Sequence, residues 1–150
     1  MSFPLAHAQL VTIIKAISPT LMHRGRPPKF HHQPEANEED LPDARGFWFG
    51  IDKMSMFGNV TPGFPRRFRY DMTLSVFYPE DINSQEILNA IGSDYASIIA
   101  SLADPATWDR PTSTIVAIIL GEAYIAPGTI SDVGGGKMFN ISFVMEFTGI

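Results

Sequence analysis

The stretch RRFRYDMTLSVFYPEDINSQEILNAIGSDYASIIASL, residues Arg66 to Leu102, decides the fold. Over Arg66–Tyr78, Phe68, Tyr70, Met72, Leu74, Val76 and Tyr78 fall on one face, and Arg67, Arg69, Asp71, Thr73 and Ser75 fall on the other. A period of two marks a strand with one buried face. Pro79 stops the run. Asn83 then opens a helix, with Glu86 at the spacing of a capping box and Asn in the place of Ser or Thr. Ile87, Leu88, Ile91, Tyr95, Ile98, Ile99 and Leu102 recur at three- and four-residue steps and form one apolar stripe. The strand face needs a cover and the helix stripe needs a floor. The two are expected to pack together, with Leu74, Val76, Ile91, Ile98, Ile118 and Phe143 in one core. Asp104-Pro105 ends the helix.

On the N-terminal side, Ser2-Phe3-Pro4 starts a helix well, because Ser can cap and Pro is tolerated in the first turn. Leu10, Ile14 and Ile17 form its stripe, and Ser18-Pro19 closes it, which predicts a helix over 4–17. Thr20–Ala44 has no apolar period. It carries Arg24, Arg26 and Lys29 and then Glu35, Glu38, Glu39, Asp40 and Asp43, with four prolines between Pro27 and Pro42. A connection of about 25 residues without periodicity is uncommon inside a compact domain. It reads as an arm that orders against a neighbour. Arg45–Lys53 reads as a strand, with Phe47, Phe49 and Ile51 on one face and Trp48 on the other. Met54–Pro65 reads as a long connection rich in Met and Phe, including Met56, Phe57 and Phe64.

On the C-terminal side, Thr112–Leu120 is almost continuously apolar, the pattern of a strand buried on both faces. Gly121 allows a bulge, with Glu122-Ala123-Tyr124 continuing the strand. Pro127-Gly128 and Gly134-Gly135-Gly136 mark a flexible hairpin connection. In Lys137–Phe147, Phe139, Ile141, Phe143, Met145 and Phe147 alternate with Asn140, Ser142, Val144 and Glu146. The order is α-β-β-α-β-β: two antiparallel strand pairs in one mostly antiparallel sheet, with both helices on one face. This is an α+β chain of one domain over 1–150, with an arm at about 20–44.

Composition narrows the chemistry. The chain of 150 residues can bury roughly two thirds of its unfolded surface, enough for a core without metal or disulfides. It has no cysteine, so thiolate catalysis and cysteine-based zinc sites are excluded. Charged residues are only 18% of the chain, which fits either a large core or apolar surface covered by a partner. A net charge of −5 argues against a general basic surface for nucleic acid. The first residues do not show the basic stretch followed by a long apolar core that secretion needs, and no apolar run reaches the about 18 residues of a membrane span.

No catalytic signature is present, and the chain is expected not to be an enzyme. Gly134-Gly135-Gly136 precedes a strand, whereas a phosphate-binding glycine loop follows one and opens a helix. His23, His31, His32 and Glu35 match no common metal spacing, and a solvated loop is the better reading. No metal and no cofactor are expected. Arg66, Arg67 and Arg69, flanked by Phe64, Phe68 and Tyr70, form the one basic cluster. Basic and aromatic residues together can hold a single strand of nucleic acid, but pairing with acidic groups of a neighbour is the commoner use.

The helix over 4–17, the strand pair Phe47–Ile51 and Phe68–Tyr78, the helix Ser84–Leu102 and the pair Ile115–Leu120 and Phe139–Phe147, in a cysteine-free chain of this length, resemble the tail terminator proteins of long-tailed bacteriophages. The resemblance lies in architecture over nearly the whole chain and in no short motif. It implies a virion protein, made in the host cytoplasm, that forms a hexameric ring at the head–tail junction. It implies as partners other copies of the chain, the tail tube protein and the head–neck connector, with DNA passing through without sequence-specific binding. The long arm and the Met54–Pro65 connection depart from the family pattern. On this reading Met56, Phe57, Phe64, Arg66, Arg67 and Arg69 are candidate interface residues. Glu35, Glu38, Glu39, Asp40 and Asp43 either line the lumen, lie outside, or clasp a neighbour's arginines. The alternatives are another neck or tail-completion protein and, in a different class, a small-ligand or nucleic-acid-binding module.

Overall fold

A computed structural model describes residues 3–19, 29–32, 45–58, 60–64, 66–79, 84–104, 115–130 and 134–149. The elements are α1 (Phe3–Lys15), β1 (His31–His32), β2 (Gly46–Met56), β3 (Arg66–Pro79), α2 (Ser84–Ala103), β4 (Ile115–Ile130) and β5 (Gly134–Gly149). They form an α+β fold with two helices and a five-stranded, mostly antiparallel sheet in the order β1-β2-β3-β5-β4. Only β1 runs parallel to its neighbour, pairing His31 with Gly46 and His32 with Phe47.

The alternation in β3 does what its period requires. Met72, Leu74, Val76 and Tyr78 are buried, and Phe68 and Tyr70 pack against the same core. The register places Phe47 and Phe139 beside Val76, Phe49 and Ile141 beside Leu74, and Phe143 beside Met72. One apolar face therefore runs across β2, β3 and β5. Both helices lie on it: Phe3 of α1 meets Tyr70 and Phe147, and Tyr95 of α2 meets Phe139 edge-on. The core draws Leu10, Ile13 and Ile14 from α1 and Ile87, Ile91, Ile98 and Leu102 from α2. Of the six expected core residues, five are buried; Ile118 is half-buried and packs against the cluster.

The other sheet face carries polar cross-strand pairs. Thr73 Oγ1 donates to Asp52 at 2.6 Å, and Ser75 Oγ donates to Asn140 at 2.7 Å. No described helix lies over this face, as an antiparallel sheet allows when one side alternates to polar residues.

Several sequence expectations need correction. The long arm is not an arm throughout. Phe30, His31 and His32 are buried in their own subunit, because β1 seats them against β2 and α1. Adjacent Phe and His residues in a two-residue strand leave no period to read. The acidic candidates Glu35, Glu38, Glu39, Asp40 and Asp43, with His23, Arg24 and Arg26, lie outside the described residues, as does the expected cap Asn83. The strand expected over 45–53 continues to Met56, so Met54 and Met56 belong to β2 and the connection shrinks to the residues after them. In α2, Leu88 is exposed and Asp94 is fully buried, so the buried stripe is turned from the expected one.

The largest correction concerns β4. Among the described residues it is an edge strand, hydrogen-bonded to β5 alone, and Ile115–Gly128 are half-buried or exposed. The β3–β5 pairing leaves β4 the margin, so a continuous apolar run did not mean burial on both faces. The bulge at Gly121 is present as a register shift between Leu120 and Ala123. Pro127-Gly128 and Gly134-Gly135-Gly136 are not a loose connection, since they pair with one another's strands up to Ile130 and Gly134. Gly136 is needed there: a Cβ would stand 2.1 Å from the Tyr78 carbonyl oxygen.

Candidate functional site: two open margins and a locked interior

The described residues offer two kinds of chemistry. One is a buried polar cluster, and the other is exposed apolar surface at the sheet margins.

The buried cluster is centred on Arg45, the residue before β2. Its Nε donates to Asp94 Oδ2 at 2.6 Å and its Nη2 to Asp94 Oδ1 at 3.3 Å. Tyr78 Oη donates to Asp94 Oδ2 at 2.5 Å. All three side chains are almost completely buried. Burial, followed by the Asp94 charge, pushes the Tyr78 hydroxyl well above its ordinary value, so it stays a neutral donor. Arg45 Cζ also lies 5.9 Å from the Tyr78 ring centroid. The backbone joins in: Arg45 N–H donates to Phe77 O at 2.8 Å, and His31 N–H donates to Arg45 O at 3.1 Å. Arg45 adopts φ of 70°, a left-handed conformation that costs a non-glycine residue energy. The charge pair ties the start of β2 to α2, and the backbone bonds tie it to β1 and the end of β3.

This cluster is a lock rather than a reaction centre. Each carboxylate oxygen of Asp94 accepts from Arg45, and the cluster lies against the core with no solvent exposure at Asp94. Sequence reading missed it because Asp94 sits one step beside Ile91, Tyr95 and Ile98 on the apolar side of the helix. A carboxylate inside such a stripe, with an Arg at a strand start, was the available signal.

The margins are different. On one side, Ile51 and Met54 of β2 and Phe57, Val60 and Phe64 of the β2–β3 hairpin are exposed, Met54 at 63% and Phe64 at 65%. On the other side, Val116, Ile119, Leu120, Tyr124 and Ile125 of β4 are exposed, Ile119 at 47% and Tyr124 at 53%. Met56, a candidate from sequence, is half-buried in β2, opposite Phe68.

Arg67 and Arg69 lie on the polar sheet face, and Arg69 has Ser55 and Glu146 as its cross-strand neighbours. Arg66 sits at the end of β3 opposite Gly149. Phe68 and Tyr70 point the other way, where Phe68 stacks on Phe147 with centroids 5.4 Å apart. The structure thus separates the arginines at 67 and 69 from the aromatics between them. A base could not stack on Phe68 or Tyr70 while its phosphate met Arg67 or Arg69.

Among the described residues no group of three His, Cys, Asp or Glu side chains could hold a metal ion, and no helix is long and apolar enough to cross a membrane. Comparison with protein-family models and with curated proteins finds no match to this chain.

Proposed function

We propose that this chain is a structural assembly protein, a phage tail terminator whose copies form a ring that caps the tail tube and joins it to the head–neck connector. The observation that carries the assembly reading is the pair of exposed apolar margins on a sheet whose interior is locked. Apolar side chains clustered in water are costly, and on a folded subunit they mark surface that another protein covers. The step from assembly protein to tail terminator rests on the architectural resemblance. In this reading the hairpin residues Phe57 and Phe64, with Met56 and the arginines 66, 67 and 69 at its base, meet a neighbouring subunit or a tail protein. DNA passes through the ring without sequence-specific contact. The acidic residues 35, 38, 39, 40 and 43 serve at the lumen or in the arm.

Negative-stain imaging of the purified protein, alone and with tail tubes, tests the proposal. Rings with a central hole, or caps at tube ends, are expected. Single subunits in both preparations overturn it. A second reading, another neck or tail-completion protein, predicts rings that bind the connector and ignore the tube. A ligand-binding module predicts neither ring nor cap, and the separation of aromatics from Arg67 and Arg69 weighs against its nucleic-acid form.

A further inference from the structure

The two apolar margins lie at opposite ends of one sheet, and their strands are related in a specific way. β2 runs antiparallel to β3, β3 to β5, and β5 to β4. β2 and β4 therefore run in opposite directions. A second copy, displaced sideways and turned about an axis along the strands, sets its β2 antiparallel to the first copy's β4. The sheet's own alternation then continues from one copy into the next.

The side chains agree with that placement. The register puts Ile51 and Met54 on the helix-covered side of the sheet, and it puts Leu120 and Ile125 on the same side. All four are exposed. Ile119 and Tyr124 project from the opposite face of β4 and are exposed as well. Only Gly46 and Phe47 of β2 are paired with β1, which leaves the outer side of Trp48–Met56 without a strand neighbour among the described residues. Charge presents no barrier, because β4 carries one charged residue, Glu122, and β2 carries Asp52, engaged by Thr73, and Lys53.

We infer that the β4 margin of one copy packs against the β2 margin of the next, head to tail. The occupant of each margin is a second copy of this chain. This inference rests on the assembly reading and names its subunit interface. A head-to-tail contact repeats and closes into a ring when the rotation permits, whereas a β4-to-β4 contact stops at a dimer and leaves the β2 margin in water. The bulge at Gly121 and Pro127, which lacks an N–H, break any long backbone ladder along β4. Side-chain packing with short backbone runs carries the contact.

The absence of cysteine makes a direct test possible. Met54→Cys and Ile125→Cys are prepared as separate proteins, both at exposed positions on the same side of the sheet, and treated with a short thiol–thiol crosslinker under conditions in which the wild type assembles. The expected result is a crosslinked dimer when the two proteins are mixed and its loss when either is treated alone. The chain carrying both cysteines should give a ladder of multimers. Ile119→Asp added to the Ile125→Cys protein should abolish the mixed dimer, while circular dichroism shows the variant folded. Crosslinking of Ile125→Cys with itself overturns the head-to-tail contact in favour of a two-fold one. No crosslink in the mixture, with rings still seen in the microscope, overturns this interface and leaves the assembly reading standing. No crosslink and no rings or tube caps overturns both.

Discussion

Strands β3 and β4 are similar in length, at 14 and 16 residues, and both are rich in apolar side chains. Their environments are opposite. β3 has a strand on each side and helices on one face, and from Met72 to Pro79 almost every residue is buried. β4 has one strand neighbour among the described residues, and Ile119, Leu120, Tyr124 and Ile125 are exposed. The difference lies in how the apolar residues are arranged. β3 alternates, which assigns one face to a cover supplied by its own chain. β4 runs apolar on both faces at a margin where the described chain covers Ile115, Ile118 and Ala123 in part and leaves Ile119, Leu120, Tyr124 and Ile125 exposed. The first pattern is satisfied by folding; on the proposed reading, the second is satisfied by association.

Breaking the β3 side should cost most. Asp94→Ala leaves the Arg45 guanidinium buried without its carboxylate, and removing one partner of a buried pair costs about 3–5 kcal/mol. Denaturant unfolding should show that loss. Replacing both partners, Arg45→Met with Asp94→Leu, should recover most of it, and a double variant as weak as Asp94→Ala would mean that packing rather than charge sets the cost. Ile98→Ala empties a fully buried site beneath α2 and should cost about 2–5 kcal/mol. An unchanged thermal midpoint would show that α2 does not rest on the sheet as described. Gly136→Ala should cost about 1–3 kcal/mol, since its Cβ meets backbone at Tyr78 and cannot be accommodated by a rotamer change.

Breaking the β4 side should leave stability nearly alone. Ile119→Ser with Tyr124→Ser removes two exposed side chains, and surface changes of this kind are usually within about 0.5 kcal/mol each. Ring formation, read by light scattering, should nevertheless be lost. Phe57→Ser with Phe64→Ser should likewise preserve the fold while weakening assembly. Loss of the folded subunit would place these residues in the core.

The smallest effect is on pH dependence. The Tyr78 hydroxyl is raised in the folded chain, while in the unfolded chain it ionises near pH 10. Above that pH the unfolded state loses a proton that the folded state keeps, so stability is complete below the unfolded value and falls as pH rises towards the folded one. Tyr78→Phe should be less stable at neutral pH and show a shallower alkaline decline. An identical slope would show that Tyr78 does not titrate differently in the two states.

The sequence made the β3–α2 unit legible because both patterns are long and periodic. It left β1 unread because Phe30-His31-His32 is too short to show a period. It left the Arg45–Asp94–Tyr78 cluster unread because the pairing spans 49 residues of chain and no local rule joins its ends. The burial of β4 was misread for a physical reason. A run such as Ile115–Leu120 signals that water is unwelcome on both faces, and it does not say whether the cover belongs to the same chain. Of the candidate interface residues, Phe57 and Phe64 are exposed at the hairpin, whereas Met56 is half-buried and Arg69 sits among polar neighbours. Strand register assigns those positions, and it became visible only with the partner strands in place.

The measurement closest to the central claim is amide hydrogen exchange, followed peptide by peptide in dissociated and assembled protein. Within Ala117–Ala126 of β4 the amides that face away from β5 should exchange quickly in the single subunit and slow on assembly, while Met72–Tyr78 of β3 stays protected in both. Equal exchange of β4 in the two states would contradict the claim that its apolar margin awaits another copy.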